Sequence, residues 1–241
     1  MRYGIFSDIH GNLEALEAVL GAFKNEALDR IICIGDIVGY GPDPSLCIQK
    51  IKELGCKTVA GNHDWGASGK IKISNFSVYA AQSIAWTKNV ISNDELNFLN
   101  SLKIEYANSD LCAVHASYEE PESFNYVYQI RDTLDSFKSM PGNVCFIGHT
   151  HIQAVFMSKA GTVVRLKQER VVIEPNIRYL FNAGSVGQPR DGINLAGFCV
   201  FDTKKKLVEL RRISYNINSV KQKIRKRGLA EFLAVRLGQG R

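Results

Sequence analysis

Asp8 and His10 stand where the apolar stretch Tyr3-Gly-Ile-Phe6 gives way to Ser7-Asp8-Ile9-His10-Gly11-Asn12. On a backbone that is still extended, side chains two apart leave the same face, so a carboxylate oxygen and an imidazole nitrogen can reach one metal ion. Asp-x-His by itself is a common spacing. It gains weight because polar clusters of the same kind follow other short strand-like runs: Asp36 after Ile31–Ile34, Asn62-His63-Asp64 after Lys57–Ala60, His115 after Leu111–Val114, and His149-Thr150-His151 after Val144–Ile147. All 5 histidines of the chain (His10, His63, His115, His149 and His151) fall in such positions. Metal or catalytic chemistry at the ends of strands is the reading this pattern supports. Mixed oxygen and nitrogen donors without cysteine suit Mn, Fe, Zn or Co and do not select one.

The elements that must carry these residues follow from periodicity. After Asn12, a plausible N-cap, Leu13, Leu16, Val19, Leu20 and Phe23 fall at helical spacing. Ile31–Ile34 reads as a strand buried on both faces. Pro44 opens a second helix with Cys47, Ile48, Ile51 and Leu54 on its apolar face, and Lys57–Ala60 forms a third strand. Right-handed crossovers in a strand–helix–strand–helix–strand chain bring the C-terminal strand ends to one edge, where open α/β sheets bind ligands. Trp65–Lys72 lacks periodicity and reads as a rim loop. Helices are expected over Val78–Val90, over Glu95–Leu102 with Asp94 as cap, and over Val127–Phe137, with an acidic and aromatic rim at Ser117–Asn125. From Ala154 short apolar runs predominate and suggest a second sheet packed on the first; from Val220 the chain is helical and basic. Without repeats or linkers, residues 1–241 read as a single α/β domain with two sheets.

The hydrophobic fraction of 45% and charged fraction of 22% are ordinary for a globular protein. No signal-peptide core or bilayer-length apolar run is visible, so the expectation is a cytoplasmic protein without a membrane partner. Of 6 cysteines, Cys33, Cys112, Cys145 and Cys199 lie inside apolar runs and none forms a CxxC pair. Buried thiols in a reducing compartment fit this better than disulfides or a zinc site. The net charge of +6 is concentrated late, at Lys204-Lys205-Lys206, Arg211-Arg212 and Lys221–Arg227. Two readings stand for it: a nucleic-acid contact, or a solvated helix face and hairpin turn.

The ordered set Asp8-x-His10, Gly35-Asp36, Gly61-Asn62-His63-Asp64, His115 and Gly148-His149-x-His151 resembles the calcineurin-like metallophosphoesterase superfamily. Asn182-Ala-Gly-Ser185 with Gln188-Pro-Arg190 is similar to the following segment of its small prokaryotic branch. The resemblance implies a four-layer α/β/β/α sandwich of two mixed β-sheets flanked by helices, with a dinuclear metal centre. One cation would take Asp8, His10, Asp36 and His151; the second would take Asp36, Asn62, His115 and His149, with Asp36 as bridge. Ions about 3.5–4 Å apart repel, and a shared carboxylate with a bridging hydroxide offsets that repulsion. Manganese is the first cation to try in vitro. His63 would contact the phosphoryl group and protonate the leaving oxygen as imidazolium, with Asn62 also facing substrate. Asp64 is left between orienting His63, capping a helix and facing solvent.

One departure bears on substrate. Where phosphoprotein phosphatases and symmetrical dinucleoside-tetraphosphate hydrolases of the superfamily carry an arginine after the bridging aspartate, this chain has Tyr40 in Gly35-Asp-Ile-Val-Gly-Tyr-Gly41. Arg190 is either a replacement cation at the substrate or a surface arginine; Tyr40 either lines the cleft or covers the turn. The function expected is hydrolysis of phosphodiester or small phosphomonoester bonds by attack of a dimetal-bridging hydroxide. Alternatives are a nuclease or nucleic-acid binder using the basic tail, and a non-catalytic scaffold on the same fold. Homo-oligomerisation is left open.

Overall fold

The computed structural model describes residues 1–241. The first half runs β1 (Arg2–Phe6), α1 (Leu13–Phe23), β2 (Arg30–Cys33), α2 (Pro44–Leu54), β3 (Lys57–Thr58), α3 (Asn62–Ser68), α4 (Val78–Val90) and α5 (Asn93–Ser101). It continues with β4 (Glu105–Ala107), β5 (Cys112–Val114), α6 (Leu134–Ser139) and β6 (Val144–Ile147). The remainder is β7 (Ala154–Lys159), β8 (Thr162–Leu166), β9 (Arg170–Val172), β10 (Arg178–Asn182), β11 (Ala196–Asp202), β12 (Leu207–Ile213), α7 (Ile217–Lys226) and α8 (Glu231–Gln239).

Two mixed 6-stranded sheets result, ordered β3-β2-β1-β11-β12-β9 and β4-β5-β6-β10-β7-β8. In the first, β1, β2 and β3 are parallel, while β11 runs antiparallel to β1 with Ile5 opposite Cys199. In the second, β5, β6 and β10 are parallel, and β4 and β7 pair antiparallel beside them. Strand alternation then builds the layers. Tyr3 and Ile5 of β1 face Phe146, Tyr179 and Phe181 of the second sheet, whereas Phe6 and Cys33 turn the other way onto Leu16, Val19, Cys47 and Ile48 of α1 and α2. Cys145 and Ile147 of β6 point outward onto Phe137 and Met140. The order is helices, sheet, sheet, helix, which is the four-layer sandwich expected.

Several local expectations need correction. The late strands do not form the second sheet alone. β9, β11 and β12 join the first sheet, and β7, β8 and β10 complete the second. The reason lies in β11: Ala196–Val200 is buried throughout, and a run apolar on both faces needs a central place, which lies beside β1. Part of the rim loop at Trp65–Lys72 is helical, because α3 begins at Asn62 and buries Trp65. Only Lys57–Thr58 of the third strand pairs in the sheet. Ser92 rather than Asp94 caps α5, accepting from the Glu95 N–H. Over 127–137 the chain makes a 3-10 turn at Ile130–Thr133 before α6, because Asp132 draws the N–H groups of Tyr128 and Gln129 onto one oxygen.

All 6 cysteines are unpaired, and all but Cys56 are buried. No helix is long and apolar enough to cross a membrane. Lys204, Lys205 and Lys206 are exposed at the β11–β12 turn. Much of the other late positive charge is paired within the chain: Lys223 with Glu14 and Asp43, Arg225 with Glu231, Arg211 with Glu26 and Glu209, and Arg212 with Asp191. The α7–α8 pair buries Val220, Ile224, Leu233 and Leu237 against Tyr40 and Ala80.

Candidate functional site

The strand-end residues do not sit on extended backbone. Asp8, His10, Asp36, His149 and His151 have φ of +57°, +50°, +51°, +65° and +61°. Asp8 and His10 therefore converge because the chain turns through the left-handed region after β1, which corrects the extended geometry expected of Asp-x-His. A residue with a Cβ loses roughly 1–2 kcal/mol there, and such conformers persist only where the surroundings over-determine them. They do here. Asp8 N–H donates to Gly35 C=O (3.0 Å), His10 N–H to Asp36 C=O (2.9 Å), Gly148 N–H to His115 C=O (2.9 Å) and Gly187 N–H to Asp8 C=O (2.8 Å). Loops from both sheets are thus stitched together. Two motif glycines are required by close approach: a Cβ on Gly61 would lie 2.0 Å from Asp36 Oδ1, and one on Gly148 would lie 2.4 Å from Asp8 Oδ2.

The side chains divide their hydrogen-bonding atoms between scaffold and site. Asp8 Oδ2 accepts from His149 N–H (3.0 Å), and Asp36 Oδ1 accepts from His63 N–H (2.8 Å). The other oxygens turn inward: Asp36 Oδ2 lies 3.2 Å from His115 Nε2 and 3.6 Å from His10 Nε2, and Asp8 Oδ1 lies 3.2 Å from His151 Nε2. Carbonyl oxygens can only accept, so His10 Nδ1 donates to Val38 C=O (3.0 Å), His115 Nδ1 to Ile34 C=O (2.7 Å) and His151 Nδ1 to Gln188 C=O (2.5 Å). That fixes the tautomer and leaves each Nε2 as a lone pair aimed inward unless protonated. His10 Nε2 and His151 Nε2 are 3.0 Å apart. Two lone pairs at that distance repel unless a proton or a cation lies against them.

Three overlapping groups of donor atoms within 4.8 Å of one another follow: Asp8, His10 and His151; His10, Asp36 and His63; Asp36, His115 and His149. Asp36 belongs to two of them. Asp8 Oδ1, Asn62 Oδ1 and His149 Nε2 are buried without any hydrogen-bond partner. A buried carboxylate oxygen, amide oxygen and imidazole nitrogen, otherwise orphaned at a cost, are donor types that suit borderline divalent cations. The residues therefore fit a metal. His63 was expected apart from the ligands, yet one of its ring nitrogens comes within reach of the donor atoms of His10 and Asp36.

Charge follows the same geometry. Burial opposes ionisation of Asp36, but His115, His63 and His10 more than reverse this and hold its carboxyl below the ordinary range. Burial also disfavours the charged form of His115, and the carboxylates of Asp36 and Asp8 overcome it, lifting the imidazole to about 10. Burial takes His149 down to about 3, assisted by His115, and takes His151 to about 3, assisted by Arg190. His63 is pulled well below its ordinary value by burial, against the attraction of Asp36.

Asp64 neither faces solvent nor makes a hydrogen bond to His63. Oδ1 accepts from the N–H groups of Ile37 (2.8 Å) and Val38 (3.3 Å), and Oδ2 from Gly61 N–H (3.0 Å). It ties the segment after Asp36 to the start of α3, and burial together with the charge of Asp36 raises its carboxyl to about 7. Asp64→Ala is expected to lower stability by about 3 kcal/mol, since buried N–H groups lose their acceptors. Asp64→Asn should recover part of this through its remaining carbonyl oxygen. Urea midpoints at constant slope are the check, and equal losses in both variants would count against the account.

Beside the cluster opens a cleft of ≈ 710 Å³ lined by Tyr40, Asn62, His63, Phe124, Tyr126 and Arg190 among others. Tyr40 both covers the turn, at φ +57°, and lines the cleft, with its ring 4.7 Å from His10 and 4.6 Å from His63. Arg190 is half-buried, donates to Gln188 Oε1 (2.8 Å) and lies 5.5 Å over the Tyr40 ring. Tyr126 stacks on His149 at 4.0 Å, and Phe76 meets His63 edge-on at 5.3 Å. Phe76, Phe232 and Arg236 also line the cleft and were not anticipated. Nothing local marks α8 as a cleft wall, because only its packing beside Tyr40 brings it there.

A model of the calcineurin-like phosphoesterase superfamily domain matches residues 1–206. An uncharacterized protein of Methanocaldococcus jannaschii is 42% identical over 241 residues, which is 98% of this chain and 97% of that one. The crystal structure of a metallophosphoesterase from Sphaerobacter thermophilus superposes with a TM-score of 0.88 at 34% identity, over 100% of this chain and 99% of that one. A hypothetical protein from Pyrococcus horikoshii OT3 shares the fold at a TM-score of 0.82 and 17% identity, over 100% and 98% of the two chains.

Proposed function

The chain belongs to the calcineurin-like phosphoesterase superfamily, and from that premise we propose that it is a metal-dependent hydrolase of phosphodiester or small phosphomonoester bonds. The observation that carries the proposal is Asp36. Its Oδ1 is held by the His63 N–H, and its Oδ2 faces His10 on one side and His115 on the other. Asp8, His10, Asp36 and His151 would hold one divalent cation, and Asp36, Asn62, His115 and His149 the second. When bound, such a pair lowers the pKa of a shared water and neutralises charge on the phosphoryl oxygens.

The chain's own residues supply the rest. Arg190 offers a fixed guanidinium at the cleft, suited to phosphoryl oxygens. His63 Nδ1 packs against Gly39, where a Cβ would lie 2.2 Å away, so Nε2 is the atom left to face substrate. Burial keeps that imidazole neutral, and the negative charge of an arriving phosphoryl group favours its protonation. His63 then holds a proton at Nε2 for the leaving oxygen. Tyr40, Phe76 and Phe124 line the cleft beside these groups with aromatic rings.

The test is to strip the protein with chelator, restore Mn²⁺, and compare hydrolysis of bis-p-nitrophenyl phosphate and p-nitrophenyl phosphate. Metal-dependent turnover of at least one is expected; none with any divalent metal would favour a scaffold on the same fold.

A pH dependence follows from His115. Because its folded value is raised to about 10, it carries a proton at neutral pH in the metal-free protein. A cation needs the lone pair, so loading must expel that proton. Metal affinity should therefore rise with pH from 7 toward 10. Calorimetry in buffers of different ionisation enthalpy should show a net proton release of about one for this group. Uptake without proton release would contradict the role assigned to His115.

A further inference from the structure

Gln188 serves both halves of the site from one buried position in the segment between β10 and β11. Its N–H donates to Ser185 Oγ (2.8 Å), and that hydroxyl donates to Asp8 C=O (2.8 Å). Its C=O accepts the Nδ1 proton of His151 (2.5 Å). The main chain of Gln188 is therefore committed to residues assigned to the first cation. Its side chain serves another group: Oε1 accepts from an Nη of Arg190 (2.8 Å).

Arg190 has few other holds. Its N–H donates to His151 C=O (3.1 Å), which fixes the backbone and leaves the long side chain free to turn. The guanidinium lies 5.5 Å over the Tyr40 ring, an attraction that sets distance more than direction. Arg2, Arg211, Arg212 and Arg225 pair with carboxylates, whereas Arg190 does not. Asp191, its neighbour in the chain, is taken by Arg212 at 2.6 Å. Gln188 Oε1 is thus the side-chain acceptor that gives this arginine its direction. An amide also differs from a carboxylate in what it leaves behind. It fixes one N–H of the fork while the whole positive charge stays available to an anion. A carboxylate in its place would order the arginine and cancel that charge.

We propose that Gln188 is a positioning residue for substrate binding: its side-chain amide aims Arg190 at the phosphoryl group at full charge, separately from the hold of its main chain on His151. A guanidinium already ordered in the free protein does not lose that freedom when the anion arrives, and affinity rises accordingly. The inference rests on the reading of Arg190 as a phosphoryl contact in the proposed phosphoesterase. Its test reads binding of inorganic phosphate, so a protein without turnover still decides it and the two can fail separately.

The experiment is calorimetric titration of the Mn²⁺-loaded full chain with inorganic phosphate, for the wild type, Q188M, R190Q and the double variant. Methionine fills the place of glutamine without an acceptor. Q188M is expected to bind phosphate about 10-fold more weakly, the scale of one charge-assisted hydrogen bond, with its Mn²⁺ content unchanged. R190Q should lose at least as much, and adding Q188M to it should cost no more than about 2-fold further, because the residue acts through the arginine. A general defect of folding or metal binding would instead weaken the single and the double variant alike. Q188E keeps an acceptor but pairs the charge, and should lose as much as Q188M. Phosphate affinity within about 2-fold of the wild type in Q188M, R190Q or Q188E, additive losses in the double variant, or Mn²⁺ depletion in Q188M would each overturn the assignment.

Discussion

Asp36→Asn is expected to reduce phosphoester hydrolysis by at least about 10³-fold, the scale at which a single preorganised electrostatic group acts or more. The substitution is nearly isosteric and can keep the acceptor for the His63 N–H. It removes the negative charge that faces His10 and His115 and is shared by both donor groups. An amide in its place either turns an NH₂ toward those imidazoles or offers a neutral oxygen, and neither holds two cations together. Metal content should fall in parallel with activity, while the far-ultraviolet dichroism stays that of the wild type. A variant retaining full metal content and activity within about 10-fold of the wild type would remove Asp36 from its central role.

His63→Ala is expected to leave the metal content intact and slow turnover by about 10²–10⁴-fold. The structure makes this a sharp question, because a ring nitrogen of His63 lies within the same 4.8 Å group as donor atoms of His10 and Asp36. If His63 serves as ligand, metal analysis of the variant will show depletion. If it carries a proton to the leaving oxygen, metals stay and the loss depends on the leaving group. It should be small for p-nitrophenyl esters, whose leaving group needs little protonation, and large for alkyl esters. A uniform loss across leaving groups with metals retained would point to phosphoryl binding alone.

Much of the scaffold is legible in the amino-acid sequence. Apolar runs at Ile31–Ile34 and Val144–Ile147 are strands, Asn12 caps α1 by accepting from the Ala15 N–H, and Pro44 opens α2. These are short-range effects of burial, capping and fixed φ. Trp65–Ser68 is helical where a rim loop is expected because α3 is 7 residues long, too short to display a period, and is held by Asp64 and by the buried Trp65. The second sheet differs from expectation for another reason: an apolar run such as Ala196–Val200 announces a central strand without saying beside which neighbour.

The amino-acid sequence by itself determined which polar groups end the strands and the order in which they occur, because hydrophobic runs and their punctuation are local properties. Only the tertiary structure decided how those groups meet. The left-handed turns at Asp8, His10, Asp36, His149 and His151 are tolerated because hydrogen bonds from distant loops hold them. Asp64 became a backbone tie, and Arg236 became a cleft residue, through contacts remote in sequence. Side-chain chemistry is written residue by residue, but the direction in which each lone pair points depends on neighbours that only the folded chain supplies.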